Sequence, residues 1–175
     1  MRRLMLLRHA KSDWSVPGQK DHDRTLASRG QTAAPLMGRY MVSHGLVPDH
    51  AIVSTAVRTR ETWRLIAEAF PSKPSTTYEP RIYEAEPDEI IAAIAAAPPA
   101  AKSVLVVGHN PGFQETATLL VGSGDPKARA KVAAKFPTAA LAVIDFDVTS
   151  WTDIRTSAGR LERFITPRAI GDKGD

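Results

Sequence analysis

A run of four apolar residues, Leu4-Met5-Leu6-Leu7, stops abruptly at Arg8-His9, and that boundary constrains the fold of the chain more than any other feature. Four residues are too few for an amphipathic helix and show no alternation. They read as a strand buried on both faces, as in a parallel sheet covered by helices on either side. A cation and an imidazole then stand at the carboxyl end of that strand, the edge of an open α/β sheet where ligands bind. The pattern returns once, where Val104-Leu105-Val106-Val107 runs into Gly108-His109-Asn110-Pro111-Gly112. Two buried strands that each deliver a histidine to one sheet edge predict a site at that edge.

The rest of the chain supplies helices and strands to surround such a sheet. Residues 11–24 are polar, hold Pro17-Gly18 and read as a loop over the sheet edge. Asp21-His22-Asp23-Arg24 within it reads as solvated loop rather than a metal site, because a third spaced ligand set is missing. Ser28 and Gln31 fit a capping box for a helix whose apolar stripe is Ala33, Leu36, Met37, Tyr40 and Met41, and Pro35 demands a kink or a later start. Ala51-Ile52-Val53 is a short strand running into Ser54, Thr55 and the cations Arg58 and Arg60, which open a helix. Half a turn apart, the two arginines cannot face the same place, so at most one binds a ligand. Residues 76–78 suit a short strand, and Pro87 opens a helix carrying Ile90, Ile91 and Ile94. Asn110-Pro111 predicts the cap of a helix over 113–121, which sets His109 beside the amide groups of a helix N-terminus, an anion site. In 127–135, Lys127, Arg129, Lys131 and Lys135 alternate with alanines as in a solvated helix, with a docking face for an acidic partner as the alternative. Segments 141–148 and 159–166 read as antiparallel neighbours near one side of the sheet.

Composition narrows the chemistry. With 175 residues, 43% of them hydrophobic, the chain suits one core, so 1–175 is expected to form a single domain with a frayed tail at 171–175. The absence of cysteine removes disulfides, thiolate metal sites and cysteine-nucleophile phosphatase mechanisms. A balance of 23 basic to 19 acidic side chains, with no basic stripe interleaved with aromatics, points to acidic substrates and away from nucleic acid. The apolar run after Met1-Arg2-Arg3 is too short for a signal sequence, and no stretch approaches the roughly 18 apolar residues of a membrane span. No membrane partner and a cytoplasmic location are expected.

Arginine presents a planar fork of donors that matches phosphate oxygens two at a time, so Arg8 and one of the later arginines suit a phosphoryl group. A histidine neutral near pH 7 is nucleophilic at one ring nitrogen and can attack phosphorus in line, while a second imidazole and the arginines stabilise the equatorial oxygens. Water then releases phosphate, and no step calls for a metal or cofactor.

Leu6-Leu7-Arg8-His9-Ala10 resembles the Arg-His-Gly signature of the histidine phosphatase superfamily, with Ala10 in place of the glycine. Ser54 to Thr62 is similar to its second arginine motif, with Thr55 where a proline is frequent, and Gly108-His109 to its second histidine motif. Length and motif context resemble SixA-type phosphohistidine phosphatases. The resemblance implies a phosphoglycerate-mutase-like fold, a three-layer α/β/α sandwich with a mostly parallel sheet. It implies His9 as nucleophile, with Arg8, Arg58, His109 and Asn110 binding the phosphoryl group. Glu84 is the first candidate for a proton donor to the leaving group, followed by Asp23 and Asp21. The expected substrate is phosphohistidine on a protein such as a histidine phosphotransfer domain or phosphotransferase carrier, the alternative being a small phosphoester. Two other readings compete. Asp145-Phe146-Asp147-Val148-Thr149 after an apolar strand resembles the nucleophile motif of magnesium-dependent haloacid-dehalogenase-type phosphatases, although that motif normally opens its domain. A phosphohistidine-binding module without turnover is the non-enzyme reading.

Overall fold

A computed structural model describes residues 1–172. In chain order the elements are β1 (Arg2–Arg8), α1 (Ser28–Ser43), β2 (His50–Val53), α2 (Val57–Ala67), β3 (Ser75–Tyr78), α3 (Pro87–Ala95), β4 (Ser103–Gly108), α4 (Gly112–Leu120), β5 (Val121–Gly124), α5 (Pro126–Ala134), β6 (Leu141–Phe146) and β7 (Gly159–Ile165). The strands form one sheet in the order β3-β2-β4-β1-β6-β7-β5. β1, β2, β3 and β4 run parallel, β6 runs against its neighbours β1 and β7, and β5 pairs parallel with β7. The fold is the expected α/β/α sandwich. Among the described residues, no helix is long and apolar enough to cross a membrane.

The continuous apolar runs explain the layers. In β1, Leu4 and Leu6 pack into one core with Ile90 and Ile94 of α3 and Phe113 and Ala117 of α4, whereas Met5 and Leu7 pack into a second core with Met37 and Met41 of α1 and Trp63 and Ile66 of α2. A side-chain period of two sends alternate residues to opposite faces, and both faces are covered, so all four are apolar and fully buried. Parallel pairing of β1 with β4 sets Leu7 beside Val107 and Arg8 beside Gly108, so the residues that follow both strands emerge side by side.

Several local expectations are corrected. No capping box opens α1: Ala27 is its N-cap and contributes no side-chain bond, and the helix starts at Ser28 and runs through Pro35. α4 spans Gly112–Leu120, with Pro111 at its cap. Asn110 still serves this end, because its Oδ1 accepts the N–H of Gln114 at 3.2 Å. β5, a short and mostly exposed edge strand, carries too little apolar pattern to show in the sequence. At the chain end, Gly171 caps a 3-10 turn and the Asp172 N–H donates to Pro167 O at 3.0 Å, so these two residues are not a frayed end; 173–175 lie outside the described residues.

α1 and α2 approach so closely that a Cβ on Gly38 would lie 2.6 Å from the carbonyl oxygen of Ile66. Alanine gains up to about 1 kcal/mol in helix propensity over glycine. Here it would push backbone against backbone, at a cost of roughly 1–3 kcal/mol that favours destabilisation. Gly38→Ala is expected to lower the thermal midpoint by about 2–8 °C in a circular-dichroism melt. A raised midpoint would mean that the two helices separate freely.

Candidate active site

His9 follows the last residue of β1 and is held by backbone bonds before its side chain is considered. Its N–H donates to Gly108 O at 2.9 Å, and the N–H of Ala139 donates to the carbonyls of both Arg8 and His9 at 3.0 Å. Ala139 makes that double contact with φ of 60°, an uncommon conformation for a residue with a side chain. The His9 ring is 7% exposed and its Nδ1 lies 2.7 Å from Ala10 O. A carbonyl only accepts, so Nδ1 carries the proton of the neutral ring and Nε2 keeps its lone pair. Among the described residues, nothing hydrogen-bonds that lone pair. Burial, reinforced by the charges of Arg58 and Arg8, pushes the His9 pKa down to about 4.

His109 follows β4 and stands beside His9, the two ring centroids 5.4 Å apart. Its Nδ1 accepts from Arg58 Nη2 at 3.3 Å, so its Nε2–H donates to Ser54 Oγ at 2.7 Å. Burial first, then His9 and Arg58, push its pKa down to about 3.

Arg58 lies in the first turn of α2 and is 7% exposed. Thr62, one turn on, accepts the Ala10 N–H at 3.0 Å and donates to Arg58 O at 2.7 Å, which ties α2 to the loop after His9. Arg60 is exposed, so of the two arginines only Arg58 turns inward. Arg58 Nη1 donates to Asp21 O at 2.8 Å and Nη2 to Asp21 Oδ2 at 3.0 Å, and Tyr83 Oη donates to the same Oδ2 at 2.6 Å. Burial alone would raise the Asp21 pKa, but these hydrogen bonds and the Arg58 charge outweigh it and hold the carboxyl below its usual range. The segment 21–24 is therefore not simply solvated loop. His22 turns aside to Thr55, with Nε2 2.9 Å from Oγ1. Among the described residues, no group of three or more His, Asp or Glu side chains is arranged to hold a metal ion.

Arg8 donates through Nη1 to Phe136 O at 3.0 Å, and its buried Nε has no partner among the described residues. Arg8, His9, Arg58, His109, Asp21 and Glu84 share a cleft of about 460 Å³. Glu84 is exposed on its rim with φ of 52°, a strained conformation of the kind found at functional sites. Asp23 does not line it. Asn110 does, but its Nδ2 donates to Phe136 O at 3.0 Å while its Oδ1 serves α4, so this side chain holds the loop. Asp145 lies elsewhere. The antiparallel run of β6 carries it to the opposite end of β1, where Arg3 pairs with both its oxygens at 2.8 and 2.9 Å. That placement removes it as a candidate nucleophile for this cleft.

Two guanidiniums and two neutral imidazoles around one carboxylate make a site for a tetrahedral dianion, in which Arg8 and Arg58 supply charge and His9 Nε2 supplies a lone pair. Sequence reasoning missed Tyr83 as part of this arrangement, and it took Ser54 and Thr62 only as the ends of the second arginine motif, without the contacts they make to His109 and Ala10. The place of Ser54 was open to detection, since it directly follows β2 as His9 follows β1.

Because the unfolded chain protonates its histidines near pH 6.5 and the folded one only near pH 4 and pH 3, the unfolded state binds more protons between those limits. Stability is therefore expected to fall as pH drops from 6.5 toward 4, by up to about 1.4 kcal/mol per unit for each of the two rings. Urea titrations at successive pH values check this, with His109→Gln flattening the dependence.

Known proteins resemble this chain in sequence and in fold. Residues 4–90 match the model of the histidine phosphatase superfamily, branch 1. The uncharacterized protein ML1117 of Mycobacterium leprae is 33% identical over 166 residues, 93% of this chain and all of that protein. SixA from Nakamurella multipartitia is 32% identical over 95% of this chain and 96% of its own, with a TM-score of 0.82. SixA from Agrobacterium tumefaciens is also 32% identical, over 95% and 98% of the two chains, with a TM-score of 0.80. With its two histidines and two arginines at the carboxyl edge of this sheet, the chain belongs to the histidine phosphatase superfamily and is a phosphatase of the SixA type.

Proposed function

We propose that this protein hydrolyses phosphohistidine on a protein substrate through a phosphorylated His9. The observation that carries the reading is the tautomer of His9: a backbone carbonyl holds the proton on Nδ1, so the free lone pair of Nε2 opens into a cleft lined by Arg8, Arg58 and His109. Nε2 attacks phosphorus in line, an Nε2–P bond forms, and the bond from phosphorus to the substrate imidazole breaks. That imidazole departs with a proton taken from Glu84 or from water. Water then attacks the phosphorylated His9, inorganic phosphate leaves, and the Nε2 lone pair returns.

Arg8 and Arg58 bind the equatorial oxygens. To do so Arg58 exchanges Asp21 Oδ2 for a phosphoryl oxygen, and the arriving negative charge favours protonation of His109, whose Nδ1–H then donates to phosphate while Nε2–H stays on Ser54. A protonated imidazole is a far better leaving group than an alkoxide, so phosphohistidine needs little from a general acid. The cleft also lies open to solvent beside an exposed Trp14, which suits a side chain presented by another protein. The two SixA relatives, whose names propose phosphohistidine phosphatase activity, support the same substrate. The domain is read as 1–175, and a cytoplasmic location remains part of the proposal.

His9→Ala is expected to lose phosphate release from a phosphohistidine protein by at least about 1,000-fold, in EDTA as in its absence. Glu84→Gln should lower turnover of p-nitrophenyl phosphate more than release from phosphohistidine, if Glu84 serves as the acid. Turnover that survives in His9→Ala and vanishes in EDTA would sink the histidine mechanism.

A further inference from the structure

A second cleft, of about 560 Å³, lies on the far side of Arg8 and shares Arg8 and Lys11 with the first. Among the described residues its charged lining is Arg8, Lys11, Arg29, Lys135, Arg168 and a single carboxylate, Asp172. Asp172 is engaged by Arg29, 4.0 Å away. The side chains of Lys11, Lys135 and Arg168 have no hydrogen bond or ion pair among the described residues, and the buried Nε of Arg8 is likewise without a partner. These cations come from the loop after β1, the end of α5 and the turn after β7, so tertiary structure gathers them; they are not one face of a basic helix. Lys127 and Lys131 stay outside on α5, and of the basic segment 127–135 only Lys135 reaches the cleft. The opposite rim of the catalytic cleft has the reverse sign, with Glu84 and Glu86 beside Asp21.

From this placement we propose that the second cleft docks an acidic segment of the phosphoprotein substrate, an inference that rests on the protein-substrate reading above. The occupant is set by charge complementarity. Exposed lysines and arginines around an open groove form a solvated rim that suits carboxylates carried on a protein surface. The acidic rim repels the same segment, so the substrate lies across His9 in one direction. A substrate with a single anionic group fills the catalytic cleft alone and does not use the second one.

The test compares two phosphohistidine peptides of equal length, one with glutamates flanking the phosphorylated residue and one with alanines, on the parent and on the double variant Lys135→Glu, Arg168→Glu. In the parent, kcat/KM for the acidic peptide should exceed that for the neutral one by about 10-fold at low salt, and the gap should narrow as salt is added. The variant should lose that preference through a raised KM and keep p-nitrophenyl phosphate turnover within about twofold. Equal kcat/KM for the two peptides in the parent, or a preference that survives in the variant, overturns the proposal. Lys135→Ala, Arg168→Ala replaces the charge reversal if melts show that it unfolds the chain. Should neither peptide be hydrolysed, the phosphohistidine reading fails by itself, and competition decides the cleft. The unphosphorylated acidic peptide then inhibits p-nitrophenyl phosphate turnover in the parent and not in the variant, and absence of inhibition in the parent overturns the docking site.

Discussion

Parallel pairing of β1 with β4 in one register is the constraint on which the site depends. With Arg8 opposite Gly108, the next residue on each strand is a histidine, and the two rings stand 5.4 Å apart. A slip of one residue would send Leu4 and Leu6 to the opposite face and rotate His9 away from His109. Two fully covered faces forbid that slip, because every apolar side chain of both strands is already buried. The core therefore acts as the ruler for the chemistry. The backbone bonds from His9 to Gly108 and from Ala139 to Arg8 and His9 then fix the strand ends where the sheet itself stops.

The energetic cost of the site is concentrated in its charges. Arg8 and Arg58 lie close enough that each disfavours protonation of the imidazoles, and burial removes the water that would screen them. The protein meets this in three ways. Both histidines stay neutral, Asp21 supplies a counter-charge to Arg58, and Tyr83 holds Asp21 by its hydroxyl. Burial and the adjacent Asp21 carboxylate both raise the Tyr83 pKa, so that hydroxyl remains a donor. What is left is a cationic hollow with fixed donors and little reorganisation to perform when an anion enters.

Arg8 links this hollow to the second cleft. Its guanidinium is partly committed to Phe136 O, its Nε is not, and the residue lines both cavities. The surface around His9 thus divides into an acidic rim at Glu84 and Glu86 and a basic groove toward Arg168. In the docking proposal this asymmetry orients the substrate, a different property from the chemistry at phosphorus.

The residues His9, Arg58 and His109 were legible from the sequence because each sits at a local boundary, where an apolar run stops or a strand passes into a helix. Such boundaries are written in neighbouring residues, and the layered fold follows from the same apolar runs. Their long-range pairings, and the placement of Asp145, had no local mark. Asp21 sits in a polar loop without period, Tyr83 in a connector, and Asp145 in a motif that resembles a nucleophile, and only chain folding put the first two against Arg58 and the third at the far end of β1 beside Arg3. The gathering of Lys11, Lys135 and Arg168 around one groove was equally invisible, since charge at the surface carries no periodicity. Burial stamps a pattern on the strands that it selects, whereas a long-range ion pair or hydrogen bond constrains two distant positions and leaves their neighbours free.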